Sequence, residues 1–123
     1  MQTMMTEKIG IYRNQREMSE AVSSLQSLRL QYQELIVADQ NHSFNTNLLE
    51  IFELGNLLDL AYITAASALN RTESRGAHAR EDYSERDDAN WLKHTLARLS
   101  GNNIQFNYKT VDISLWKPKP RKY

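Results

Sequence analysis

The sequence contains no cysteine. That excludes disulfides, thiolate zinc sites, iron–sulfur ligation and a cysteine nucleophile within its 123 residues. Glycine is scarce, and the four present are scattered, so neither a G-x-G-x-x-G turn nor a P-loop can be assembled. Charge of either sign is not in excess. Fifteen Lys and Arg balance fifteen Asp and Glu, whereas a dedicated binder of nucleic acid or anionic membrane carries a basic surplus. No apolar run reaches the ~18 residues of a membrane span. The N-terminus lacks the basic stretch and apolar core of a secretory signal.

Catalytic and metal-binding constellations are also missing. His42, His78 and His94 are the only histidines, and none stands at helical ligand spacing from another donor on an expected helix. His78 is close to Glu81 and Asp82, but in a segment without helical periodicity. His94 reads as a strand residue. Ser74 and Ser84 have histidine and acids nearby in sequence, which is not triad geometry.

What remains is a chain sized for one small domain with one core. Met1, Met4, Met5 and Ile9 fall at helical spacing, so residues 1–12 read as a short helix that Gly10 weakens. A longer helix is expected over Gln15–Ala38. Asn14 can cap it with Glu17 three residues on, and Met18, Ala21, Val22, Leu25, Leu28, Tyr32, Leu35 and Ile36 form its apolar stripe. Another is expected over Asn47–Asn70, with Asn47 and Glu50 at capping-box spacing. This helix is apolar over a wide arc, which calls for burial on several sides. Small residues at Gly55, Ala61, Ala65 and Ala66 allow neighbouring helices to approach closely. Two long antiparallel helices and a shorter one suggest an up-and-down bundle.

Helical periodicity stops at the run RTESRGAHAREDYSERDD, Arg71 to Asp88. It holds four arginines, six acids and no lysine. A solvated charged loop has such a composition, and so has a polar interface of paired side chains. The preference for arginine, whose planar fork matches a carboxylate, favours the interface. Beyond it, Trp91–Leu99 fits either a short helix or a strand. Ser100–Asn103 is a turn signal, and Ile104, Phe106 and Tyr108 alternate with polar residues as in a strand, so a β-hairpin is expected. Pro118 and Pro120 exclude regular structure from the ending LWKPKPRKY, read as an extended basic tail. Aromatics among basic residues in the tail could bind single-stranded nucleic acid. The zero net charge favours aromatics that pack the hairpin and a tail that drapes over a partner, so no nucleic acid is expected.

The charged run, followed by NWLKHTL at Asn90–Leu96, resembles the C-terminal domain of succinate dehydrogenase and fumarate reductase flavoprotein subunits. The family pattern is ESRGAH, R-x-D, ERDD and a tryptophan before KHTL. The resemblance extends to IGIYR (Ile9–Arg13), FNTNLLEIFELGNLLDLA (Phe44–Ala61), NYK (Asn107–Lys109) and the terminal KPKPRKY, and so covers essentially the whole chain. Ser84 departs from it, where the family usually has proline. L-aspartate oxidases share a related domain but match the hairpin and tail less well. A free-standing helical interaction module of the same descent is a further alternative.

The resemblance implies a mainly α fold. It would be a small, spectrin-repeat-like three-helix bundle (about 1–72), a charged loop (73–90), a short hairpin (91–114) and the tail (115–123). It implies that the chain is the C-terminal piece of a longer subunit, which interconverts succinate and fumarate by hydride transfer with covalently bound FAD. No catalytic residue and no cofactor are expected in this stretch itself. Its role would be scaffolding, with Arg71, Glu73, Arg75, His78, Arg80, Asp82 and Arg86 bracing the interface to the FAD-binding domain. Arg121 matches the family's tail arginine, which supports cofactor attachment. The further partners implied are an iron–sulfur subunit and a membrane anchor, at the cytoplasmic face of the inner membrane. On its own, the piece is expected to expose a face that favours self-association.

Overall fold

The computed structural model describes residues 1–39, 41 and 43–119. His42 and Arg121 lie outside the described residues, as does the end of the tail, 120–123. Over the described residues the fold is mainly α, with four helices and an antiparallel hairpin. In chain order these are α1 (Gln2–Lys8), β1 (Tyr12–Arg13), α2 (Gln15–Gln33), α3 (Thr46–Asn70), β2 (Ala79–Arg80), α4 (Asp88–Trp91), β3 (Lys93–Ser100) and β4 (Asn103–Thr110).

Helix α2 starts where its cap requires. Asn14 Oδ1 accepts from the Glu17 amide at 3.0 Å, and the Asn14 side-chain amide donates back to the Glu17 carboxylate at 3.0 Å. It ends earlier than expected, at Gln33 rather than Ala38, because Leu35 and Ile36 continue the apolar spacing without finding a core and stay exposed. Helix α3 is capped by Asn45, which accepts from the Leu48 amide at 2.8 Å, and not from Asn47. Contacts that ascend α2 descend α3: Gln26 meets Tyr62, Arg29 meets Asp59, and Tyr32 lies against Gly55. The two long helices are therefore antiparallel. A Cβ at Gly55 would fall 2.5 Å from the Tyr32 hydroxyl, so only glycine permits this approach.

The core lies between them. Met18, Ala21 and Leu25 of α2 are fully buried against Leu58, Ala61, Tyr62, Ala65 and Ala68 of α3, with Ile9 at one end. Burying a side chain such as Leu25 contributes about 1.5–3 kcal/mol. Met1, which precedes α1, and Met4 and Met5 of α1 cover one side of this core, and Leu99 and Ile104 of the hairpin cover another.

The hairpin has the expected turn. Ser100 pairs with Asn103, and Gly101 takes φ +58° at the first of the two central positions, where a type II′ turn requires it. Leu99 and Ile104 are cross-strand partners, and Lys93, Thr95, Ala97 and Leu99 alternate inward along β3. Trp91, read as the start of that strand, instead closes α4, which Asp87 caps by accepting from the Asn90 amide at 3.0 Å. The hairpin tip docks on the helices. The Arg29 guanidinium donates to Asp59 at 2.7 Å and to the Gly101 carbonyl at 3.4 Å while stacking 5.0 Å over Tyr62.

Candidate functional site

The charged run is folded into a compact lattice at the end of the helix pair. Strands β1 and β2 pair in parallel, Tyr12 with Ala79 and Arg13 with Arg80. They are joined by bonds from the Ala79 amide to the Ile11 carbonyl and from the Glu81 amide to the Arg13 carbonyl. An antiparallel bridge between Arg75 and His78 closes a tight turn in which Gly76 takes φ +60°. A side chain at Gly76 would be strained there, although space is free around it.

Glu73 sits at the centre, wholly buried. Its carboxylate accepts from Arg71 Nη1, from Arg75 Nε at 2.8 Å and Nη2 at 2.9 Å, and from the Asp87 amide at 2.9 Å. Burial alone would raise its pKa. The hydrogen bonds from Arg75, then from the Asp87 amide, and then from Arg71 outweigh it, so the carboxyl lies below its ordinary range. Arg75 also donates to Asp88 at 2.7 Å, and Arg86 reaches the other oxygen of Asp88 at 2.8 Å. Arg86 also donates to the Lys119 carbonyl at 2.8 Å.

Arg80 is the second buried charge. It grips Asp82 through two parallel bonds of 2.7 Å and gives Nη1 to the carbonyls of Arg71 (2.9 Å) and Leu69 (3.3 Å). These carbonyls end α3 and have no intrahelical donor of their own. Asp82 accepts in turn from the Gln15 amide, in the first turn of α2, at 3.0 Å. One Arg–Asp pair thus joins the C-terminus of α3, the N-terminus of α2 and β2. The Arg80 guanidinium, and then the Gln15 amide, hold the Asp82 pKa down at about 2.

His78 is held neutral. Arg13 Nη1 donates to its Nδ1 at 2.7 Å, which leaves the proton on Nε2, facing the Arg71 carbonyl at 3.1 Å. Burial lowers its pKa first, opposed by the bond to the Arg71 carbonyl. The charges of Arg13, Arg80 and Arg71 lower it further. A depressed histidine pKa means that the unfolded chain binds the proton more readily, so the contribution of His78 is complete above about pH 6.5 and is lost as pH falls below it. The melting temperature is therefore expected to drop between pH 7 and pH 5. His78→Gln, compared by calorimetry across that range, should show a flatter profile.

Arg71 links lattice and hairpin. It donates to the carbonyls of Trp91 (3.1 Å) and Lys93 (2.6 Å) and stacks 5.0 Å from the Trp91 ring. The indole NH reaches Thr72 Oγ1 at 3.1 Å, and the ring meets Tyr108 edge-on at 6.0 Å.

Arg71, Glu73, Arg75, His78, Arg80, Asp82 and Arg86 are thus brought together, and their bonds within the described residues run to one another, to backbone carbonyls and amides, and to the side chains of Asp88 and Arg13. Sequence reasoning missed three participants. Asp88 completes the Arg75 and Arg86 pairs, and its signal was the surplus of acids over arginines in the run. Arg13 and Lys93 lie outside the run. Arg13 belongs to the IGIYR segment, whose position beside the run only the fold reveals.

The family model described as fumarate reductase flavoprotein C-term matches residues 1–123. The chain belongs to that family. A fumarate reductase flavoprotein subunit of Haemophilus influenzae is 46% identical over 124 residues, which take in 100% of this chain and 21% of that protein. A succinate dehydrogenase flavoprotein subunit of Coxiella burnetii is 43% identical, covering 98% of this chain and 21% of that one. Among solved structures, a quinol fumarate reductase of E. coli superimposes with a TM-score of 0.91 at 39% identity, covering 96% of this chain and 21% of its own. The chain therefore spans about a fifth of the length of the relatives it matches. The family is one of oxidoreductase flavoproteins, and the residues that carried the resemblance, ESRGAH through KHTL, are those of the lattice and β3. No helix among the described residues is long and apolar enough to cross a membrane.

Proposed function

We propose that this chain is the scaffold domain at the C-terminus of a succinate dehydrogenase or fumarate reductase flavoprotein subunit, and that it packs against the FAD-binding part without performing chemistry itself. The observation that carries this reading is the unpartnered face of α3. Leu58, Ala61, Tyr62 and Ala65 face the core, yet Leu49, Phe52 and Leu60, on the opposite side of the same helix, are 57%, 59% and 62% exposed. A helix apolar on both faces needs a second partner. Four-fifths of the length of its relatives lies outside this chain and can supply one.

The rest follows from the same reading. Residues 1–123 act as one domain, with α1, α2 and α3 as a spectrin-repeat-like three-helix bundle, and the lattice of 73–90, the hairpin of 91–114 and the tail of 115–123 following it. Glu73, Arg80 and His78 are engaged internally and set the shape of the docking face. Arg75, Arg86 and Arg71 are nearer its surface and brace across it, and Arg121, which is outside the described residues, is assigned to support covalent flavin attachment. The whole subunit interconverts succinate and fumarate by hydride transfer with FAD. It works with an iron–sulfur subunit and a membrane anchor, peripherally at the cytoplasmic face of the inner membrane. The isolated piece self-associates through the bare face of α3.

Complementation in trans tests this. A flavoprotein subunit lacking its C-terminal domain is mixed with this chain, and covalent flavin and succinate oxidation are measured. Recovery of both is the expected outcome. A folded chain that neither binds the truncated subunit nor restores flavin would overturn the scaffold reading.

A further inference from the structure

A cleft of about 830 Å³ opens between α3, the Arg13–His78 pair and the hairpin. Ile63, Thr64 and Ser67 of α3 form one wall, Thr95 of β3 another, and Arg13 and Lys93 stand at its sides. No carboxylate of the described residues lines it. The arginines at its edge are not equivalent. Arg71 and Arg75 are matched by Glu73 and Asp88. Among the described residues Arg13 has only the Gly10 carbonyl and the neutral His78 ring, and burial lowers its pKa with no carboxylate of those residues to offset the cost. The Lys93 ammonium lies 4.8 Å over Trp91 and 4.0 Å over Tyr108, again without a carboxylate among the described residues. Thr95 Oγ1 is buried with no hydrogen-bond partner among the described residues.

A half-buried guanidinium and an ammonium without counter-charge, beside an unpaired hydroxyl, form an incomplete polar site. Apolar walls at Ile63 and Ala97 strengthen any charge pair formed there. Ile63 also continues the bare apolar stripe of Leu49, Phe52 and Leu60 at helical spacing, so whatever covers that stripe reaches the cleft.

We infer that this cleft receives an aspartate or glutamate side chain from the FAD-binding part of the same subunit, with Arg13 and Lys93 as the two cations that meet it. The inference rests on the scaffold reading above. Its content is the charge complementarity: the partner segment is apolar with one inserted acid, and it is not a basic or purely apolar surface.

Zero-length carbodiimide coupling in the intact flavoprotein subunit tests it, because that reagent joins an amine only to a carboxylate already in contact. Peptide mapping by mass spectrometry is expected to find Lys93 linked to an acid outside this chain, and the link should vanish in Lys93→Arg, which keeps the charge but not the reactive amine. A longer lysine–lysine cross-linker, applied in parallel, reports whether the two parts pack at all. Long-reach links without the Lys93 link, or a Lys93 link only to an acid within this chain, would overturn the inference and leave the scaffold reading standing. Absence of both kinds would overturn both. If Lys93 stays uncoupled and added succinate protects it from acylation, the cleft holds a free carboxylate, and the docked side chain is disproved.

Discussion

Glu73→Ala is expected to cost about 3–5 kcal/mol of stability, a large share of the ~5–15 kcal/mol that holds a domain of this kind together. The reason is not the worth of the ion pairs as such. A buried pair gains little over a well-packed apolar substitute, because desolvation offsets the attraction. The cost comes from what deletion leaves behind. Arg71 and Arg75 keep their charges and lose their common acceptor, and the Asp87 amide loses its partner, around a carboxylate position that is itself fully buried. Glu73→Gln keeps the volume and one acceptor oxygen but brings an amide donor among donors, so it should also be destabilising, by less. Urea unfolding gives the comparison, with Glu85→Ala as the exposed control, expected within ~0.5 kcal/mol of the parent. Removing Arg75 as well, as Arg75→Met, should recover part of the loss, since one orphaned cation goes with it. A Glu73→Ala variant as stable as the control would mean that water enters the lattice and solvates both arginines.

That lattice shows where sequence reasoning stops. Helix α2 begins just after Asn14 because a cap is a local event: an asparagine three residues before a glutamate suffices. The hairpin was legible for the same reason, since its register follows from a four-residue turn and an alternation beside it. Helix ends were less so. Leu35 and Ile36 keep the apolar spacing of α2, but spacing does not say whether a core faces them, and α2 stops short of both. The composition of Arg71–Asp88 pointed to pairing, yet not to the pairs. Arg80 with Asp82 is local, but Asp82 with the Gln15 amide and Arg13 with His78 join residues 67 and 65 apart. Such contacts depend on α2 and α3 being antiparallel, a tertiary fact that no window of sequence contains. Arg13 and Lys93 escaped for that reason too: each is an ordinary basic residue until the fold places it at a cleft without acids.

Arg80→Met should be comparably damaging, about 3–5 kcal/mol, but by a different route, and the two variants can be told apart. Arg80 is a junction. Its loss leaves the Asp82 carboxylate without its bidentate partner and the carbonyls of Leu69 and Arg71 without a donor, so the end of α3, the start of α2 and the β1–β2 pair separate together. Arg80→Lys is not a mild change here. One ammonium cannot supply two parallel bonds to a carboxylate and two more to carbonyls from a fixed plane. Hydrogen exchange distinguishes the junction from the Glu73 centre. Arg80→Met should release the amides of Gln15, Ala79 and Glu81, whereas Glu73→Ala should release Asp87 first. Acid adds an independent check. The Asp82 pKa is about 2 when folded, against 3.8 ordinarily, so its contribution is complete above about pH 4 and is lost as pH falls towards 2. In Arg80→Met the principal cause of that depression is gone. The variant is expected to be less stable at neutral pH and to lose less than the parent between pH 4 and pH 2, so that their unfolding free energies converge in acid. Curves that stay parallel would show that the Gln15 amide, and not Arg80, holds the Asp82 carboxylate.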